Sequence, residues 1–73
     1  MKALLTITEK KFNINNTEYL ARLEKRDSDN YIVIYKQNKE LALKLYTGSI
    51  EDDSKYLSEA EDLIEDLILK SNE

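Results

Sequence analysis

The sequence predicts an α+β fold: a small antiparallel four-stranded sheet followed by one C-terminal amphipathic helix packed on one of its faces, in the order β-β-β-β-α. Three observations predict it. Apolar residues alternate with a period of two in four short segments before Gly48. Clusters of Asn, Asp, Ser, Thr and Gly punctuate those segments, and after Gly48 the apolar period changes to that of a helix.

The first strand, about residues 2–8, rests on Ala3, Leu5 and Ile7. Phe12 and Ile14 break its parity, which calls for a bulge near Lys10-Lys11. The second, about 18–26, carries Tyr19, Ala21 and Leu23; the third, about 31–36, Ile32 and Ile34; the fourth, about 41–47, Leu41, Leu43 and Leu45. With Asn38-Lys39 as a two-residue hairpin loop, Ile34 falls opposite Leu43 and Ile32 opposite Leu45. With Ser28-Asp29 as the preceding loop, Leu23 falls opposite Ile34. Both turns give one apolar face, built from Leu5, Ile7, Leu23, Ile32, Ile34, Leu43 and Leu45. Register matters here because a slip of one residue turns a whole strand over.

The helix is expected over about 53–70. Tyr56, Leu57, Ala60, Leu63, Ile64, Leu67 and Ile68 recur at i, i+3, i+4, which places them on one stripe facing the sheet. Ser49 or Asp53 caps the start, and Glu51, Asp52 and Asp53 suit the positive end of the helix dipole.

At 73 residues the chain is expected to be a single domain, 1–73, near the lower size limit for an unaided core. It contains no cysteine and no histidine, so disulfides and the usual zinc ligands are absent and the expectation is no metal and no cofactor. No apolar run reaches the length of a membrane span or a secretory signal, and the chain is expected to be a cytoplasmic, complete short product. Lysine outnumbers arginine nine to two and asparagine occurs six times, a usage that AT-rich coding tends to give. Without a histidine base, a cysteine nucleophile or a glycine-rich phosphate loop, the chain is not expected to be an enzyme. Glu51-Asp52-Asp53 has no EF-hand frame and is read as a helix N-terminal acidic cluster.

Charge is divided along the chain. Residues 51–73 hold nine acidic and two basic residues, net −7, whereas residues 1–50 hold six acidic and nine basic, net +3. The expected partner-binding surface is therefore the outer face of the helix: Glu59, Asp62, Glu65 and Asp66, with Leu69 as an apolar anchor among them. The like-charge i, i+4 pairs Asp62/Asp66 and Glu61/Glu65 cost helix stability, which fits a face kept for a partner with a basic surface, in the manner of a DNA mimic. A solubilising face is the plainer reading of the same residues.

The far side of the sheet is the alternative interface, with Arg22, Arg26, Tyr31, Val33, Tyr35, Lys44 and Tyr46. It suits a homodimer or another protein contact. Basic residues interleaved with tyrosine also suit single-stranded nucleic acid, but a net charge of −4 and Glu24 on the same face argue against direct contact with nucleic acid.

No motif assigns a family. In size, acidity and lack of chemistry the chain resembles small phage or mobile-element proteins that inhibit a host machine, the anti-CRISPR proteins and other nucleic-acid mimics. That resemblance implies a non-catalytic inhibitor or regulator acting on a nucleic-acid-handling host protein through protein–protein interaction. The alternative is a small structural or assembly protein that self-associates through its tyrosine-bearing sheet face.

Overall fold

The structure, a computed structural model, describes residues 4–51 and 53–71. It contains β1 (Leu4–Ile14), β2 (Thr17–Arg26), β3 (Asp29–Lys36), β4 (Lys39–Tyr46) and α1 (Asp53–Ser71). The strands form one antiparallel sheet in the order β1-β2-β3-β4, so β1 and β4 are its edges. The helix lies across β2 and β3. This is the α+β architecture that the sequence predicts. Residues 2 and 3 of the expected first strand lie outside the described residues.

Asparagine makes two of the three hairpins. The β1–β2 turn is Asn15-Asn16 and the β3–β4 turn is Gln37-Asn38, all four with positive φ of 52–65°. This is the left-handed pair that matches the twist of a two-residue hairpin. Asp27, at φ 58°, begins the β2–β3 turn. Each loop after β2 and β3 thus sits one residue earlier than expected. For β2 and β3 the consequence is small. Leu23 pairs with Ile32 instead of Ile34, and the two-residue shift leaves both on the same face.

The outcome for β4 is different. Tyr35 pairs with Glu40 but Ile34 pairs with Ala42, so Leu41 is an extra, unpaired residue in the strand. This bulge inverts every side chain that follows. Ala42, Lys44 and Tyr46 face the helix, and Leu43 and Leu45, expected in the core, lie on the open face with 45% and 51% of their surface exposed. Tyr46 gains most by the inversion: it is buried, and its hydroxyl donates to the Ser49 carbonyl at 2.8 Å. Gly48 permits this, since a Cβ there would stand 2.7 Å from the Tyr46 hydroxyl oxygen and 2.8 Å from Lys55 Cδ.

β1 continues to Ile14, past the expected end at residue 8. Its bulge falls at Ile7, between the Thr6 and Thr8 pairings, not at Lys10-Lys11. Parity is thereby restored for Phe12 and Ile14, which pack with Ile7 against the core. Leu5, also expected in the core, pairs with the exposed Lys25 near the open end of the ladder and is 59% exposed.

The core joins Tyr19, Ala21, Leu23, Ile32, Ile34 and Tyr46 of the sheet to Tyr56, Ala60 and Ile64 of the helix. Leu57, Leu63, Leu67 and Ile68 complete the apolar stripe, partly buried. The Tyr56 hydroxyl donates to the Ala21 carbonyl at 2.6 Å, a buried bond that fixes the helix over β2. No helix among the described residues is long and apolar enough to cross a membrane.

The inverted β4 is testable by truncation. Ile34→Ala should cost about 2–4 kcal/mol of stability as a buried aliphatic truncation. Leu43→Ala should cost under about 1 kcal/mol, as expected for a half-exposed side chain. Urea melts of the two variants decide this: equal losses would place Leu43 in the core and refute the bulged register.

Candidate functional site

Two surfaces stand on opposite sides of the molecule, and their charges are arranged differently. The open face of the sheet is organised around Glu24, which alternation places on the side away from the helix. Its carboxylate is fully buried. Arg26 Nε and Nη2 donate to Oε1 at 3.0 and 2.9 Å, the Tyr35 hydroxyl donates to Oε2 at 2.5 Å, and Arg22 Nη1 lies 3.6 Å from Oε2. The two arginines extend outward to further carboxylates: Arg22 Nε to Glu9 at 3.2 Å and Arg26 Nη2 to Glu40 at 2.9 Å. The Arg22 guanidinium also lies over the Tyr35 ring, 4.9 Å from its centroid.

Two arginines and three carboxylates thus form a closed network spanning β1, β2 and β4. A buried carboxylate is tolerated because its oxygens are met by charged and hydroxyl donors. Bonds to Glu40 and Glu24 hold the Arg26 guanidinium above its already high range. Burial first, then the bond to Glu24, push the Tyr35 phenol up from its ordinary value.

Of the alternative-interface residues expected from sequence, Arg22, Arg26, Tyr31, Val33 and Tyr35 do share this face. Lys44 and Tyr46 do not, because the Leu41 bulge turns them to the helix side. Lys44 there pairs with Glu59 at 3.1 Å. Val33 is buried beneath its neighbours and offers no surface. The apolar surface that the face does present is Leu41, Leu43 and Leu45 along β4, with Tyr31 and Tyr35 half-buried beside them. The Glu24 hub was legible only in part: Arg22, Glu24 and Arg26 alternate on one strand face, and a same-face Arg-Glu-Arg triplet is the signal that finds it.

The second surface is the outer face of α1. Asp62, Glu65, Asp66 and Leu69 are exposed as expected, Leu69 by 65%. None of the three carboxylates forms an ion pair with a described residue. Glu59 leaves the set, its carboxylate being turned toward β4 by Lys44. Leu69 is not isolated: with Ile14, Asn15, Glu65 and Ile68 it lines a shallow, mostly apolar groove between the β1–β2 turn and the last turns of the helix.

No family model, no curated protein and no solved structure matches the chain.

Glu24→Gln keeps the shape and removes the charge on which both arginines converge, and should cost about 2–3 kcal/mol. An unchanged melting temperature would show that the network contributes nothing. The tyrosines give a pH test. Burial, with Asp53 and Glu9 nearby, pushes the Tyr56 phenol up to about 12. The unfolded chain loses phenolic protons near pH 10, whereas the folded chain retains those of Tyr35 and Tyr56. The unfolded state then binds fewer protons, so stability present below pH 10 is lost as pH rises toward 12. Absorbance titration near 295 nm should find phenolic ionisation continuing above about pH 10, with Tyr35→Phe and Tyr56→Phe each removing part of that late amplitude.

Proposed function

We propose that this protein is a non-catalytic, cytoplasmic binding module that docks the outer face of α1 onto a basic surface of a nucleic-acid-handling protein. It acts there as a small inhibitor or regulator, of the kind that phages and mobile elements carry, by occupying a groove that nucleic acid would otherwise fill. The observation that carries this reading is a contrast in charge. On the open sheet face, every acidic or basic side chain of the Glu24 network has an ion-pair partner within the molecule, whereas Asp62, Glu65 and Asp66 have no cation partner among the described residues.

Asp62 and Asp66 lie one helical turn apart, about 6 Å of rise, with Glu65 between them. Their mutual repulsion weakens the isolated helix by a few tenths of a kcal/mol and is relieved when a basic surface approaches. Leu69 and the adjacent groove add an apolar contact at the end of the acidic row, as an anchor surrounded by charge does in protein interfaces.

Single-stranded nucleic acid is less well supported as a ligand of the sheet face. Glu9, Glu24 and Glu40 already engage its two arginines, and Arg22 covers the ring of Tyr35 that a base would stack on.

The test is a pull-down from a bacterial lysate at low and high salt, using the native chain and Asp62→Lys with Asp66→Lys. Capture of a nucleic-acid-handling protein, lost on charge reversal and weakened at least tenfold by salt, is the expected result. Leu69→Ala should weaken capture without changing its salt dependence. Binding that survives charge reversal would remove α1 as the site.

A further inference from the structure

The open edge of the sheet carries a second interface, independent of the acidic helix. We propose that β4 pairs antiparallel with β4 of a second copy, about a two-fold axis at Leu43, to join two four-stranded sheets into one of eight strands.

An exposed edge strand is normally protected by charges that repel a second strand. Of the three charged residues in β4, Glu40 is held by Arg26 on the open face and Lys44 by Glu59 on the helix side, which leaves Lys39 at the far end. Beside the free backbone edge stand Leu41, Leu43 and Leu45, 37%, 45% and 51% exposed. The Leu41 bulge interrupts β4 only at its Glu40 end, and from Leu41 to Leu45 the edge backbone coincides with an exposed leucine row.

Self-complementarity selects a second copy as the occupant. With Leu43 opposite its own symmetry mate, Leu41 faces Leu45 of the other copy, and Ala42 faces Lys44. Six leucines then meet on one face with no like charges opposed. A centre at Lys44 would set the two lysines against each other. A centre at Ala42 would align Glu40 with Lys44 of the second copy, but the Leu41 bulge has placed those two on opposite faces of the sheet.

The helices do not oppose this arrangement. Each lies over β2 and β3, set back from the β4 edge. At a strand spacing of about 4.8 Å, the two helix axes would lie roughly 20 Å apart. That is more than twice the screening length of about 8 Å at physiological salt, so the acidic helices scarcely repel. Association through α1 itself would instead press carboxylate against carboxylate.

Three half-exposed leucines and a short edge cover less than the roughly 800 Å² per partner of a standard stable interface. The structure therefore points to a dimer in reversible exchange with monomer at working concentrations.

The chain contains no cysteine, so single cysteines report the register directly. Directly opposite residues of an antiparallel pair have Cα atoms about 4.5–5.5 Å apart, within the disulfide range. Leu43→Cys should oxidise to a covalent dimer. Leu45→Cys, about 13 Å from its own mate at four residues' displacement, should not. Sedimentation of the unmodified chain should show monomer passing to dimer between micromolar and near-millimolar concentration, persisting in high salt. Leu43→Lys should shift that midpoint at least tenfold upward, and Asp62→Lys with Asp66→Lys should leave it in place. A chain that stays monomeric throughout, equal cross-linking of the two cysteine variants, or association lost with the helix charges and kept in Leu43→Lys would each overturn the proposal. Because the helix variant is measured in the same series, failure of this interface is distinguishable from failure of the acidic-face reading.

Discussion

One unpaired residue decides how this molecule presents itself. Without the extra residue at Leu41, the tight Gln37-Asn38 turn would place Leu43 opposite Ile32, beneath the helix. With it, Ala42, Lys44 and Tyr46 take those positions. The exchange makes sense through what each residue does on the helix side. Tyr46 fills the end of the core and closes the β4–α1 connection through Ser49. Lys44 holds Glu59, and Ala42 leaves room for packing. The consequence is that the leucines lie on the open face. Core packing and the exposed apolar edge are thus two results of a single backbone irregularity.

The same constraint explains how far the sequence could be read. Strand number, the helix with its apolar stripe, and the helix's outer face were legible because period two, period 3.6 and the asparagine turns agree with one another. The two-residue errors in the β2–β3 pairing did no harm, since they preserve parity. The bulges were not legible in the same way. Nothing in Lys39-Glu40-Leu41-Ala42-Leu43 distinguishes a bulged strand from a regular one, and the leucine alternation argues for the wrong face. The available counter-signal was Tyr46 two residues before the only glycine, a large ring next to the one residue that allows a close approach. On β1, Phe12 and Ile14 did demand a bulge, and only its position was misread.

Glu24 shows how a buried charge can specify an arrangement without adding much net stability. Its carboxylate is reached from β2 by Arg22 and Arg26 and from β3 by Tyr35, and the arginines continue to Glu9 on β1 and Glu40 on β4. Every strand contributes a member. A register slip of any strand would strand a charge, so the network selects the observed pairing even where burial of the ions offsets their attraction. It also determines what the open face can bind. A surface whose charges are satisfied internally offers little to phosphate, and leaves the apolar row on β4 as its distinguishing feature.

The two proposed interfaces are geometrically compatible. In an eight-stranded sheet built through β4, the two-fold axis runs perpendicular to the sheet, so both helices project from the same side with their acidic rows outward. Two such rows, roughly 20 Å apart at a strand spacing of about 4.8 Å, would engage an extended basic groove as a bivalent ligand. Tethering the second row to the first raises its local concentration into the millimolar range, so two weak contacts give a strong one without any added residue. A single helix face with Asp62, Glu65, Asp66 and Leu69 would be a modest binder. Pairing along β4 would make it a stronger one, and would use the leucines that the Leu41 bulge turns to the open face.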